Sequence, residues 1–206
     1  MNTNKPKLVA GQGVNDIEYS TKNYPLAYKS WTNMLERAYS SRFHLTYPSY
    51  KGCTVCDEWL KFSNYLKWWQ VNHRKNYQAD KDLLIPGNRE YGPDTVRFVP
   101  SYVNNVLLDK AAKRGGYALG VVKNQKNNTF TVYCNQLGRK HYQASGFTSE
   151  AKAHKVWQEA KIVAIELVIA RYRTEPFPLP EIIAALQARI AVLKSDIQNN
   201  RITVKL

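Results

Sequence analysis

The hydrophobic period of the chain changes at Gly115-Gly116, and this change limits what the sequence can fold into. The segments YALGVVK, NTFTVYC and RKHYQAS follow, separated by Gln125-Lys126-Asn127-Asn128 and by Leu137-Gly138. Short runs rich in β-branched and aromatic residues, broken by turn residues, predict three antiparallel strands. A strand period of two puts Phe130, Val132 and Cys134 on one face and Thr129, Thr131 and Tyr133 on the other. The run FTSEAKAHKVWQEAKIVAIELVIARYR then has helical spacing; Thr148 or Ser149 is placed to cap it, and Glu150 complements its positive end. A sheet with one apolar face followed by a long helix predicts that the helix covers that face.

Upstream, Leu26, Ala27, Trp31, Met34, Leu35 and Ala38 recur at helical spacing within Leu26–Tyr39. Asp57 is placed to cap a second helix whose Trp59, Phe62, Leu66 and Trp69 share a face. Trp68 points away from that face, which makes it the tryptophan expected to stack on bases; the other tryptophans read as core. Residues 1–20 are polar and read as a loose leader. Turn signals at Pro86-Gly87 and Gly92-Pro93 make the stretch before residue 100 loop and short strand, and 101–112 reads as a short helix. After PFPLP, Pro180 stands in the first turn of a last helix. There Ile183, Leu186, Ile190, Leu193 and Ile197 form a heptad seam, which packs on its own chain or makes a homodimer through residues 182–197. The expected organisation is three parts: 1–112, 113–174 and 175–206.

Charge narrows the class of partner. Lys and Arg number 30 against 16 Asp and Glu, a net charge of +14. The excess lies in every third of the chain rather than in one tail, which points to an extended footprint on a polyanion, with nucleic acid first and an acidic host protein as the alternative. No apolar run is long enough to span a membrane, and the first residues lack a secretory apolar region. Three cysteines make no disulfide framework, so a reduced, cytoplasmic protein is expected. Cys53-x-x-Cys56 has no second pair at zinc-finger spacing, so no structural zinc is expected.

One segment carries residues fit for chemistry. Asp80-Lys81-Asp82, Gly87-Asn88-Arg89 and Asp94-Thr95-Val96-Arg97-Phe98 place carboxylates, a lysine and an asparagine around a turn-rich hairpin. Carboxylate oxygens suit a hard cation such as Mg²⁺ or Mn²⁺; the same pattern also describes a solvated turn.

DKDLLIPGNREYGPDTVRFVP resembles the HNH segment of phage-encoded HNH homing endonucleases, and YKSWTNMLERAY and PSYKGCTVCDEWLKFSNY resemble the leader of those proteins. The resemblance implies a ββα-metal module acting on double-stranded DNA with Mg²⁺ or Mn²⁺. It assigns Asp80 as a metal ligand and Asn88 as the residue that holds the hairpin and positions the catalytic base. Arg97 and Phe98 match the Arg-aromatic end, and Arg89 joins the DNA contacts. Two positions depart from the family. Lys81 replaces the general-base His, and Thr95 stands at the last metal ligand, with Asp94 beside it as a substitute. Lysine, with an ordinary pKa of ~10.4, is a phosphate clamp rather than a base at neutral pH, so cleavage is expected to be weak or absent.

RGGYALGVVKN, TFTVYC and LGRKHYQASGFTSEAKAHKVWQEA resemble the APETALA2-type DNA-binding domain, which is also fused to phage HNH proteins. That resemblance implies three strands in the major groove with a helix behind. It names Arg114, Lys123, Tyr133, Arg139 and Lys140 as phosphate or base contacts. The fold class expected is therefore α+β: an HNH-like module with helices, a three-stranded antiparallel sheet packed on a helix, and a C-terminal helix.

Overall fold

The structure, a computed structural model, describes residues 7–108, 114–137 and 142–206. It is a mixed α+β protein that divides into two compact units, Met1–Phe98 and Val99–Leu206. The C-terminal helix lies in the second unit.

The first unit is built on helices α1 (Pro25–Tyr39), α2 (Ser41–Thr46) and α3 (Phe62–Asn72). Pro25 opens α1 at a position where its missing N–H costs nothing. The helix buries Ala27, Trp31, Met34, Leu35 and Ala38 and leaves Leu26 exposed. Asp57–Leu60 is a single 3₁₀ turn rather than the start of a helix, so Trp59 reaches the core from that turn and α3 buries Phe62, Tyr65 and Leu66 instead. The Trp31 indole is fully buried, and its Nε1 donates to the Trp59 carbonyl at 2.7 Å. This bond satisfies a group whose burial would otherwise be unfavourable.

Residues 9–14 of the leader are held in place. Val14 N donates to Leu60 O and Phe62 N donates to Val14 O, so residues 13–14 are pinned to the chain entering α3. Gly13 lies against Trp31 and Leu35 so closely that a Cβ there would overlap Leu35.

Two short strand pairs complete this part of the chain. β1 (Thr54–Val55) runs parallel to β3 (Glu90–Tyr91), and β2 (Tyr77–Asp80) pairs with β4 (Arg97–Pro100). Helix α4 (Ser101–Leu107) follows β4 directly.

The second unit contains the expected sheet: β5 (Val121–Asn124), β6 (Thr129–Cys134) and β7 (Tyr142–Phe147), antiparallel in the order β5-β6-β7. Helix α5 (Glu150–Tyr172) begins at Ser149, whose side chain accepts from Lys152 N. Glu150 then reaches back to accept from Ala118 N at 2.7 Å, tying the helix start to the chain entering β5. Helix α6 (Pro180–Gln198) packs against α5. Of the heptad seam, Leu186, Ile190 and Leu193 are buried within the chain, while Ile183 and Ile197 are half-buried.

Among the described residues no helix is long and apolar enough to cross a membrane.

Candidate nucleic-acid interface

Two places gather the residues singled out in the sequence: the loop between β2 and β4, and the sheet β5–β7. Each is described within its own unit.

The 80–96 loop is held by its own polar groups. At the end of β2, Asp80 Oδ1 accepts from Asp82 N at 3.0 Å and Leu83 N at 2.8 Å. Asn88 Nδ2 donates to Lys81 O (2.7 Å) and Glu90 O (2.6 Å), and its Oδ1 accepts from Glu90 N at 3.2 Å. Lys81 answers across the same gap: its Nζ donates to Asn88 O at 2.8 Å and to Asp82 Oδ2 at 3.3 Å. The Lys81 side chain is only 12% exposed, and its Nζ lies 5.8 Å from the centre of the Tyr91 ring. Thr95 Oγ1 donates to Glu90 O at 2.8 Å and accepts from Gly92 N at 3.0 Å, which closes the second turn. Burial pushes the Asp80 carboxyl up to about 6, helped by the neighbouring Asp82 charge.

The remaining candidates in this unit are placed as braces. Arg89 Nη1 donates to Lys51 O at 2.7 Å, stitching the β3 entry to the loop before β1. Arg97 Nη1 donates to Pro93 O at 2.8 Å and Val96 O at 2.9 Å. Asp94 is exposed on the turn between Gly92 and Val96. Among the described residues no group of three His, Cys, Asp or Glu side chains is arranged to hold a metal ion. Asp80 and Asp94 therefore do not assemble, with a third ligand of these types, the donor set that a divalent cation requires. Cys53 and Cys56 are free thiols, Cys53 buried in the core and Cys56 half-buried.

Trp68, expected to face outward, packs inward. Its ring centre is 4.5 Å from that of Trp59 and 5.4 Å from that of Phe98. The physical reason is the late start of α3: once Trp59 sits on a separate turn, the face carrying Tyr65 and Trp68 closes over it. Trp69 instead stacks on His73, centroids 4.0 Å apart.

In the second unit, register assigns the sheet faces. Val121 pairs with Val132, and both are fully buried, as is Cys134 on the same face. Phe130 shares the face but is half-buried, in edge-on contact with Tyr117. Lys123 pairs with Phe130, and its Nζ lies 5.9 Å from that ring's centre. Lys123 therefore stands on the face of Val121, because two residues along a strand return to the same side. The other face carries Val122, Asn124, Thr129, Thr131 and Tyr133, and Tyr133 is 43% exposed.

Thr131 departs from the expectation by being buried. The register of β6 against β7 shifts between Phe130 and Val132, leaving Ser145 and Gly146 opposite Thr131. Such a bulge adds twist locally, and Gly146 takes the positive φ of +87° that it needs. Arg114 is half-buried, and its Nη1 donates to Tyr117 O at 2.5 Å. Arg139 and Lys140 lie outside the described residues.

The chain's own pattern gave no sign of one further cluster. The His154 ring is buried between Leu119 O, 3.1 Å from Nδ1, and Thr203 N, which donates to Nε2 at 2.9 Å. An acceptor on one side and a donor on the other fix the tautomer with the proton on Nδ1. Gln158 Nε2 donates to Thr203 Oγ1 and Arg201 O, each at 2.9 Å, and Thr203 Oγ1 donates to Asp196 Oδ2 at 2.8 Å. Residues 201–203 are thereby fastened along α5.

Comparison of the chain with protein-family models, with curated proteins and with solved structures finds no match.

Proposed function

We propose that this protein binds double-stranded DNA through the open face and turn ends of the sheet β5–β7. The 80–96 loop serves in this reading as an HNH-like scaffold whose cleavage activity is weak or absent. The observation that carries the reading is the sheet itself: three antiparallel strands with one face on α5 and the other presenting Tyr133 among small and polar side chains. A narrow sheet of this kind can enter the major groove, and its unit has sixteen Lys and Arg against seven Asp and Glu over 99–206. Arg139 and Lys140, which lie between β6 and β7 in the sequence, would supply phosphate contacts, and Tyr133 would meet the groove.

The loop supports the scaffold half of the reading. Asn88 clamps the hairpin, which is the role that the HNH resemblance implies for it. The other assignments are poorly served by the geometry. Lys81 is engaged with Asn88 O and Asp82, and Asp80 Oδ1 with two backbone N–H groups. Among the described residues, the side chains present do not assemble a catalytic Mg²⁺ or Mn²⁺ centre of the HNH kind.

The test is duplex binding as a function of salt, with Mg²⁺ and with a chelator. Binding should persist without metal and fall steeply with salt. Arg139→Ala with Lys140→Ala should reduce the slope of log K against log salt by about 2, at roughly 0.9 per phosphate contact. Absence of binding, or an unchanged slope, removes the sheet from the interface; salt-insensitive association would favour an acidic protein partner instead. Plasmid cleavage in Mg²⁺ or Mn²⁺, compared with Asp80→Ala, tests the catalytic half separately. Vigorous cutting that depends on Asp80 would overturn the scaffold reading.

A further inference from the structure

In the first unit, Asn33, Glu36 and Arg37 of α1 line a groove of about 390 Å³ together with Phe43, Tyr47 and Tyr50. This volume falls within the range of about 300–1,000 Å³ usual for small-molecule sites. Short-range bonds set the three rings in place. Ser40 Oγ accepts from Phe43 N at 3.2 Å, Tyr47 N donates to Phe43 O at 2.9 Å, and Tyr50 N donates to Tyr47 O at 3.1 Å. The His44 Nε2 and Arg37 O atoms, 2.8 Å apart, tie α2 to α1.

The rings form a stack with a corner. Phe43 and Tyr47 have centres 4.7 Å apart with planes at 33°, and Tyr50 meets Phe43 edge-on at 5.5 Å. Tyr47 is 51% exposed, so an aromatic ring stands open to water in a concave surface. Arg37 belongs to the wall: its guanidinium lies 5.6 Å from the centre of the Tyr50 ring and bonds the Tyr91 side chain. Asn33 and Glu36 are different. Three residues apart on α1, they lie on one helix face, both exposed. Among the described residues neither side chain has a hydrogen bond or ion pair.

We infer that this groove binds a guanine base carried on a phosphate, its ring stacked on Tyr47 and its Watson–Crick edge on Glu36. An open aromatic ring is a platform for a planar ligand. The Glu36 carboxylate only accepts, and its two oxygens lie side by side, so it is matched by two adjacent N–H donors. Among the common bases guanine alone presents these on its Watson–Crick edge, at N1 and N2. The Asn33 amide, one turn back, has a donor for a carbonyl such as guanine O6. Aromatic rings with a carboxylate also suit an alkylammonium ion. Charge disfavours that ligand, because the Arg37 guanidinium stands in the same wall and residues 1–98 carry 14 Lys and Arg against 9 Asp and Glu. That excess favours the phosphate of a nucleotide. The inference does not rest on DNA binding by the sheet, since every lining residue belongs to the first unit.

The test is equilibrium dialysis of the full chain against GMP, AMP and choline. GMP should saturate one site and bind about tenfold or more tighter than AMP, in line with one bidentate pairing. Glu36→Gln should weaken GMP by about tenfold and leave AMP unchanged; Tyr47→Ala should weaken both by about tenfold. Both positions are exposed, so the thermal midpoint should be retained. Arg139→Ala with Lys140→Ala should leave GMP binding unchanged, which separates this groove from the sheet. A thymidine hexamer carrying one guanine distinguishes the sources of the base: tighter binding than GMP assigns the groove to a single strand, weaker binding to the free nucleotide. The inference is overturned if neither guanine ligand binds saturably, if GMP and AMP bind equally, or if GMP binding is unchanged in Glu36→Gln or in Tyr47→Ala. Choline binding that exceeds GMP binding and is lost in Glu36→Gln would also overturn it, assigning the groove to a cation.

Discussion

Asn88 and Lys81 hold each other by their main chains: the Asn88 side-chain amide donates to the Lys81 carbonyl at 2.7 Å, and the Lys81 ammonium donates to the Asn88 carbonyl at 2.8 Å. Each side chain thus satisfies the backbone of the other, seven residues away, and the loop between them is closed twice. Asn88→Ala should destabilise the protein by about 1–3 kcal/mol, since it removes the side-chain donor to the part-buried Lys81 carbonyl, while Glu90 O keeps its bond from Thr95 Oγ1. Lys81→Met should cost a similar amount, and the double variant should lose less than the sum because the two bonds close one loop. Denaturant unfolding of the three variants measures this. Losses within about 0.5 kcal/mol would mean that the loop is a solvated turn with no clamp.

Asp80 gives a pH dependence of one sign. Its folded-state pKa, raised to about 6, lies above the ordinary carboxyl value of 3.8. Stability from this group is therefore fully present below about pH 4 and lost as pH rises through about 6. Asp80→Asn keeps an oxygen for the Asp82 and Leu83 N–H groups and removes the charge. The variant should be more stable than the natural protein at pH 8, by at most about 2–3 kcal/mol, with the difference vanishing below pH 4. A variant less stable at pH 8 would show that the charge itself holds the turn.

His154 gives the opposite sign. Burial holds its pKa below the ordinary 6.5, and protonating Nε2 would set an N–H against the Thr203 N–H that it now accepts. A depressed folded pKa means stability present above 6.5 and lost as pH falls through the folded value. His154→Leu should be less stable at pH 7.5, and its stability should change less than that of the natural protein between pH 7.5 and 5. Equal slopes in urea unfolding at the two pH values would remove His154 as the source.

Gly120 has φ of +71° and lies directly under the Trp157 indole. Gly120→Ala adds backbone strain of about 1–3 kcal/mol and a steric overlap that the buried indole can relieve only by moving. A loss of about 3 kcal/mol or more is expected, read as a lower thermal midpoint. Gly116→Ala, where nothing lies near the added Cβ, is the control and should be nearly neutral.

The local elements were legible because their signals are short-range. Alternation set the three strands, the serine at 149 capped α5, and the proline at 180 opened α6, each through backbone geometry that a few neighbouring residues decide. That Asn88 holds the hairpin was implied only by the HNH resemblance. Its partner was not legible, because Lys81 returns a bond that no spacing rule encodes. Trp68 was misplaced because its direction depends on where α3 begins, and that depends on how residues 13–14 dock on the turn at Leu60. Thr131 is buried at a bulge that belongs to the pairing of β6 with β7 rather than to β6 alone. The seam of α6 could serve a partner chain or its own, and periodicity is blind to that choice; in the chain, Leu186, Ile190 and Leu193 of the seam are buried and α6 packs on α5. The sequence by itself determined which segments are helix or strand and how much positive charge they carry, because φ/ψ preference and composition are local or additive. Only the tertiary structure decided which faces meet, which polar groups are satisfied and where a cavity remains, because those outcomes rest on residues far apart in the chain competing for the same space.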